Sequence, residues 1–236
     1  MLLVAATGCS FQAKSSQVVR VDGGEPPVGT DAGRDARAID APPDAHVSRD
    51  ARSVNGSLTV ASATVPNGDT NLTVEGTLDW AHWAHGGAAD FDHKSGANLI
   101  SDVTVTNGAQ RIQIGSITAT ASWIDGTPHA TVTGTGTGVG ANQGAGLQFT
   151  VPAGTTPHTL RVYAGNKASA ERLDVSLSDN SAGAYSATLD AGTTAIHEVY
   201  TITYNAASDG QTLTVTWTDT ADSTNGFEML MSATLQ

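Results

Sequence analysis

The chain has 236 residues, a formal net charge of −12, 14% charged residues and only 11 Lys plus Arg. A phosphate-rich partner requires clustered Lys and Arg to displace counterions, so this balance argues against nucleic acid. A single cysteine excludes an intrachain disulfide framework, and with aromatics at 5% the core must be built from Val, Leu, Ile and Ala, each Trp counting heavily.

The N-terminal "MLLVAATGCS" is a short apolar run, then small residues, then Cys9. Ala6-Thr7-Gly8-Cys9 resembles a bacterial lipoprotein lipobox, in which the signal is cut before the Cys and the Cys is acylated. It departs from that pattern in carrying Ala6 where an aliphatic residue is usual, and in lacking a basic leading region. The resemblance implies lipidation at Cys9 and an extracytoplasmic location, at the outer membrane or cell surface. The run is too short to span a bilayer, and so is every other apolar stretch, so the expected membrane contact is through lipid alone. Residues 10–56 follow without hydrophobic periodicity. "DAGRDARAIDAPPDAHVSRDARS" is Asp, Ala, Pro, Gly and Arg, a composition that buries too little apolar surface to offset ordering. It reads as a disordered tether of about 45 residues that spans on the order of 35–40 Å on average.

From Ser57 the pattern changes to period two. "SLTVASATV", "LTVEGTLDW", "LISDVTVT", "RIQIGS", "TATASW", "GLQFTV", "HTLRVYAG", "ERLDVSLSD", "AYSATL", "HEVYTITYNA", "QTLTVTWTD" and "FEMLMSATL" are short, rich in Thr and β-branched residues, and bounded by Gly, Asn, Asp or Pro. No long 3.6-residue stripe or capped run of helix formers is present. About eleven strands over residues 57–236 predict an all-β fold, a single jelly-roll-like β-sandwich. The glycine-rich "TGTGTGVGANQGAG", Thr133 to Gly146, reads as a long mobile loop. Asp209-Gly210 between two alternating strands predicts a closing hairpin, with Tyr200, Ile202 and Tyr204 on one face of its first strand and Leu213, Val215 and Trp217 sharing a face of its second. Trp217 is expected in the core.

"GTLDWAHWAHGG", "DHKSGANLISD", "SWIDGTPHA", "GLQFTVPAGTTPHTLRVYAG", "LSDNSAGAY" and "YTITYNAASDGQTLTVTWT" occur in this order in a kind of bacterial extracellular domain. The region 57–236 is similar to these secreted β-sandwich modules, marked by an Asp-Trp-Ala-His-Trp segment and a later Ser-Trp-x-Asp-Gly-Thr-Pro. The resemblance implies the fold and a secreted or surface location, with a carbohydrate-binding role beyond that. The chain departs at Ala84, where Gly more often follows the second Trp, and this sets His85 apart from the shared pattern.

The densest chemistry is "GTLDWAHWAHGGAADFDHK", Gly76 to Lys94. As a strand, residues 79–85 would turn Asp79, Ala81, Trp83 and His85 one way and Trp80, His82 and Ala84 the other. If Leu78 faces the core, Trp80 and His82 go with it. Aromatic rings stack on the apolar faces of sugars while neighbouring polar side chains bind hydroxyls. The candidate ligand-binding residues are therefore Asp79, Trp83, His85, Trp123 and Asp125, with an extracellular glycan as the expected partner. The alternative is a structural spacer or adhesion module with these tryptophans packed inside. No metal site is expected here: HxxH on a strand puts the two imidazoles on opposite faces, and no Cys or Glu completes a zinc set. No cofactor is assigned, with calcium left as the alternative, since loop carboxylates suit it; "DNSAGAY", "WIDG" and "SDGQ" are compatible with it in composition only. No catalytic residues are assigned. Glycosidase chemistry needs two carboxylates across a cleft, and nothing selects a pair, nor does a nucleophile elbow appear. The chain is read as non-enzymatic.

Overall fold

Alternating Thr and β-branched residues set the architecture. A computed structural model describes residues 55–65, 68–141, 144–190, 192–220 and 226–236. Cys9, its lipobox and nearly all of the tether lie outside the described residues. The strands are β1 (Ser57–Thr64), β2 (Gly68–Asn71), β3 (Asp79–Trp83), β4 (Phe91–Lys94), β5 (Thr104–Val105), β6 (Arg111–Ile114), β7 (Ala119–Trp123), β8 (Gly126–Thr127) and β9 (Val132–Thr135). They continue with β10 (Gly138–Ala141), β11 (Gly146–Ala153), β12 (His158–Lys167), β13 (Ala170–Leu177), β14 (Tyr185–Asp190), β15 (Ile196–Asn205), β16 (Gln211–Asp219) and β17 (Phe227–Leu235). One helical turn, α1 (Leu72–Glu75), and one 3₁₀ turn, Thr106–Gly108, interrupt them.

The protein is all-β, a sandwich of antiparallel sheets. One nine-stranded sheet runs β1-β15-β12-β17-β3-β4-β8, with β10 and β6 joined on β17. A five-stranded sheet, β14-β13-β16-β11-β5, covers its inner face, and a small sheet, β2-β7-β9, with β2 and β7 parallel, packs over the outer side of β3. Period-two alternation fills the space between the two large sheets. Leu160, Val162, Tyr200, Ile202, Tyr204, Leu230 and Leu235 come from the first, and Leu147, Phe149, Val151, Leu173, Val215 and Trp217 from the second. Trp217 is fully buried, as expected, and packs on Tyr200 at 5.7 Å between ring centroids.

Three sequence expectations are corrected. The Asp209-Gly210 turn does not close a hairpin: β15 pairs with β1 and β12, while β16 pairs with β11 and β13. Both strands carry a large apolar face, and turning those faces toward each other across the core buries more than pairing them edge to edge. Gly210 takes the positive φ (+79°) that this arch requires. The glycine-rich stretch from Thr133 is not one long loop, because it contributes β9, β10 and the start of β11. Its glycines are there for closeness: a Cβ on Gly138 would lie 2.8 Å from the Leu230 carbonyl oxygen, where β10 crosses onto β17. "LTVEGTLDW" is not a continuous strand. Asn71 accepts a hydrogen bond from the Val74 N–H and starts a single helical turn.

Candidate functional site

Strand β3 is buried along its whole length. Its alternation holds to Trp83, with Ala81 and Trp83 facing the main core and Trp80 and His82 the opposite side. The opposite side is also covered, by β7 and α1. Leu78 does not lead that side inward; it is 42% exposed. The strand then stops at Ala84, which adopts a positive φ of 62°. His85 therefore leaves the alternation and swings back to within 6.3 Å of the His82 ring.

The result is an interior aromatic cluster. Trp123 on β7 packs against Trp80 and His82, each at 5.1 Å, and edge-on against His85 at 5.6 Å. His85 meets His129 at 5.0 Å. Several polar atoms in the cluster are hydrogen-bonded. Trp123 Nε1 donates to the His129 carbonyl (2.8 Å), and His85 Nδ1 lies 3.1 Å from Thr135 Oγ1. Asp92, fully buried, accepts from the His129 backbone N–H (3.0 Å) and sits 2.9 Å from His129 Nδ1. His82 has no hydrogen-bonding protein partner at either ring nitrogen and borders a cavity with room for about one water. Burial, together with the His85 charge, lowers its pKa to about 3 against an opposing backbone contact from Thr137.

The five expected ligand residues do not form one face. Asp79 is fully buried: Oδ1 accepts from the Trp80 N–H, and Oδ2 from the Leu99 (2.7 Å) and Ile100 (2.9 Å) N–H groups. It pins the loop after β4 to β3. Trp83 is fully buried against Phe149 at 5.1 Å, and Trp123 is 1% exposed. Each of these three is corrected to a packing role, because no surface of it reaches a ligand. Asp125 is partly exposed, but its oxygens accept from Thr73 Oγ1, Trp80 Nε1 (2.9 Å) and Lys94 Nζ (2.9 Å). Burial raises its pKa, and these bonds outweigh that, holding the carboxyl below its ordinary value. His85 is partly exposed and packed within the cluster. Asp79 and Asp125 are thus both committed to hydrogen bonds within the fold. Among the described residues, no three His, Cys, Asp or Glu side chains are gathered to hold a metal on those ligand types alone.

A groove does open elsewhere, on the outer face of the nine-stranded sheet. It measures about 770 Å³ and runs between the ends of β1, β12, β15 and β17 and the segment Ile114–Thr118 after β6. Alternation builds it: Lys167, Phe227, Met229 and His197 turn outward while their neighbours turn into the sandwich. Gly165 makes room, since a Cβ there would lie 2.7 Å from the His197 ring. Phe227 is half-buried, Lys167 and Thr118 are exposed, and burial lowers the His197 pKa. Sequence inspection misses this site. Its only trace is the outward set Lys167, His197 and Phe227, on strands far apart in the chain.

No family model matches the chain, and none of the curated proteins compared with it matches. Among solved structures, the chain is similar to TmCBM61 in complex with beta-1,4-galactotriose, at 9% identity over 58% of this chain and 87% of that one, with a TM-score of 0.38. It is also similar to Xyl-CBM35 in complex with a glucuronic acid containing disaccharide, at 18% identity over 58% and 93%, with a TM-score of 0.29. A third similar structure is the enzymatically active domain of the bacteriophage CBA120 tailspike protein 4, at 12% identity over 59% and 20%, with a TM-score of 0.34.

Proposed function

We propose that the domain is a non-catalytic ligand-binding module and that its ligand is a saccharide held in the groove beside Phe227. The observation that carries this reading is the groove itself. It is a concave site with an apolar floor (Phe227, Met229) rimmed by Thr64, Thr118, Thr194, His197 and Lys167. An apolar sugar face stacks on a ring of this kind, and hydroxyls take hydrogen bonds from the rim. We further propose that Cys9 is acylated and that the tether displays the module at the cell surface. Purified protein tested on a broad glycan array is expected to bind at least one glycan, and Phe227→Ala is expected to lose that binding while melting normally. Absence of binding to every glycan contradicts the reading. Labelled palmitate is expected at Cys9; an unmodified, soluble export product contradicts the anchor.

A second reading is favoured by one observation. Trp80, Trp83 and Trp123 are all buried, which suits a structural spacer or adhesion module held by packing alone. An inert groove in the array experiment supports that alternative.

A further inference from the structure

The wall of the groove has a second side. Alternation that turns Lys167, Phe227 and Met229 outward turns Asn166 and Glu228 inward. These two are register partners on β12 and β17. Facing them from the other sheet is Glu171 on β13, itself in register with Asp219 on β16. Asn166 and Glu171 are fully buried and Glu228 is 1% exposed.

What these side chains lack is informative. The Glu228 carboxylate has no hydrogen-bond partner at either oxygen. Glu171 accepts from Ser169 Oγ at one oxygen and has no partner at the other. Asn166 donates through Nδ2 to the carbonyls of Ser169 (3.1 Å) and Leu189 (2.9 Å). Two carbonyl acceptors fix which end of the amide is nitrogen, so the unpartnered atom is the carbonyl oxygen Oδ1. Among the described residues, no Lys, Arg or His forms an ion pair with Glu171 or Glu228. A buried carboxylate with neither a donor nor a counter-ion is costly. Four unpartnered oxygens on three side chains from two sheets share one buried corner, near the further negative charge of Asp219.

We propose that Glu171, Glu228 and the Asn166 amide oxygen bind a divalent cation of the calcium class, which ties the two sheets together behind the groove. The donor set is entirely oxygen, mixing carboxylate with amide carbonyl. This is the chemistry of a hard cation, and calcium accepts such mixed, irregular sets more readily than magnesium does. The site is distinct from the groove and does not depend on a saccharide binding there. Without a cation, burial lifts Glu228 to about 9, with the charges of Asp219 and Glu171 adding to the shift. Burial lifts Glu171 to about 7, against the hydrogen bond from Ser169 and with the charges of Asp219 and Asp190 adding. The ion would displace these protons on binding.

The test uses the full chain dialysed against EDTA, then titrated with calcium chloride at pH 8. Calorimetry is expected to find one ion per chain that is lost in E228Q. The melting temperature should rise on the order of 5–10 °C at a hundredfold excess over the Kd. E228Q and E171Q are expected to lose that rise. Exposed Asp69→Asn is expected to keep it. In EDTA, E228Q should melt no lower than the wild type, because Gln fills the same space as the protonated Glu228 and has no carboxyl to ionise, so failure to fold does not mask the result. Absence of calcium binding in the wild type overturns the proposal, and so does a calcium response that persists in E228Q.

Discussion

Replacing Trp123 by Ala separates a packing role from a ligand role for the Asp-Trp-Ala-His-Trp region. The ring is 1% exposed and touches Trp80, His82 and His85. Truncating a buried Trp to Ala costs about 3–5 kcal/mol in transfer and cavity terms. The Nε1 bond to the His129 carbonyl adds about 1 kcal/mol; that carbonyl belongs to an exposed residue and can rehydrate. The expected loss is therefore about 4–6 kcal/mol, or about 8–20 °C in melting temperature for a domain of this size. Trp123→Phe, which retains most of the ring, should lose about 1–2 kcal/mol. Urea unfolding with intrinsic fluorescence measures both, with an unchanged m-value showing that the same unit unfolds. A Trp123→Ala protein that keeps its stability within about 1 kcal/mol but loses glycan binding would refute the packing assignment.

Three other outcomes follow from the same geometry. In calcium-free buffer, Glu228 and Glu171 hold their protons in the fold up to about pH 9 and 7, after the unfolded chain has released them. Their contribution is fully present below the ordinary carboxylate value and is lost as pH rises through 7 and then 9. His82, lowered to about 3, costs stability as pH falls from 6.5 toward that value. The melting temperature should peak at about pH 5 and decline toward pH 9, with a shallower alkaline limb in E228Q; a rise from pH 5 to 9 contradicts this. Asp125→Ala should lose about 2–3 kcal/mol by chemical denaturation. Most of that comes from leaving the buried Trp80 Nε1 without an acceptor, since the pair with Lys94 is partly exposed and contributes little. Gly138→Ala should lose about 1–3 kcal/mol, because its Cβ meets the Leu230 carbonyl rather than a movable side chain.

The fold class was legible because period-two alternation needs only local sequence. It also told correctly which residues of β15 and β16 point inward. It did not tell that the two strands belong to different sheets. A turn at Asp209-Gly210 suits an arch as well as a hairpin, and the choice depends on what each inner face meets across the core. Glycines 136, 138 and 140 read as loop because the reason for them, backbone approach to Ile117, Leu230 and Glu228, lies far away in sequence. In the aromatic segment, alternation separated Trp80 from Trp83 but assumed one side was open. The small sheet and α1 close that side, and nothing local signals a lid. The positive φ at Ala84, which brings His85 back to His82, is equally invisible in composition. Glu171 and Glu228 passed as ordinary strand residues, since only the pairing of β12 with β17 and of β13 with β16 buries them at one corner.

The most direct test of the central claim, that ligand meets the groove and not the tryptophans, is an NMR titration of labelled protein with an oligosaccharide selected on the glycan array. The account predicts that the largest amide shifts fall on Thr118, Lys167, His197 and Phe227, with Asp79–Trp83 and Trp123 unmoved. Shifts centred on His85 and Trp123, with the groove silent, would contradict it.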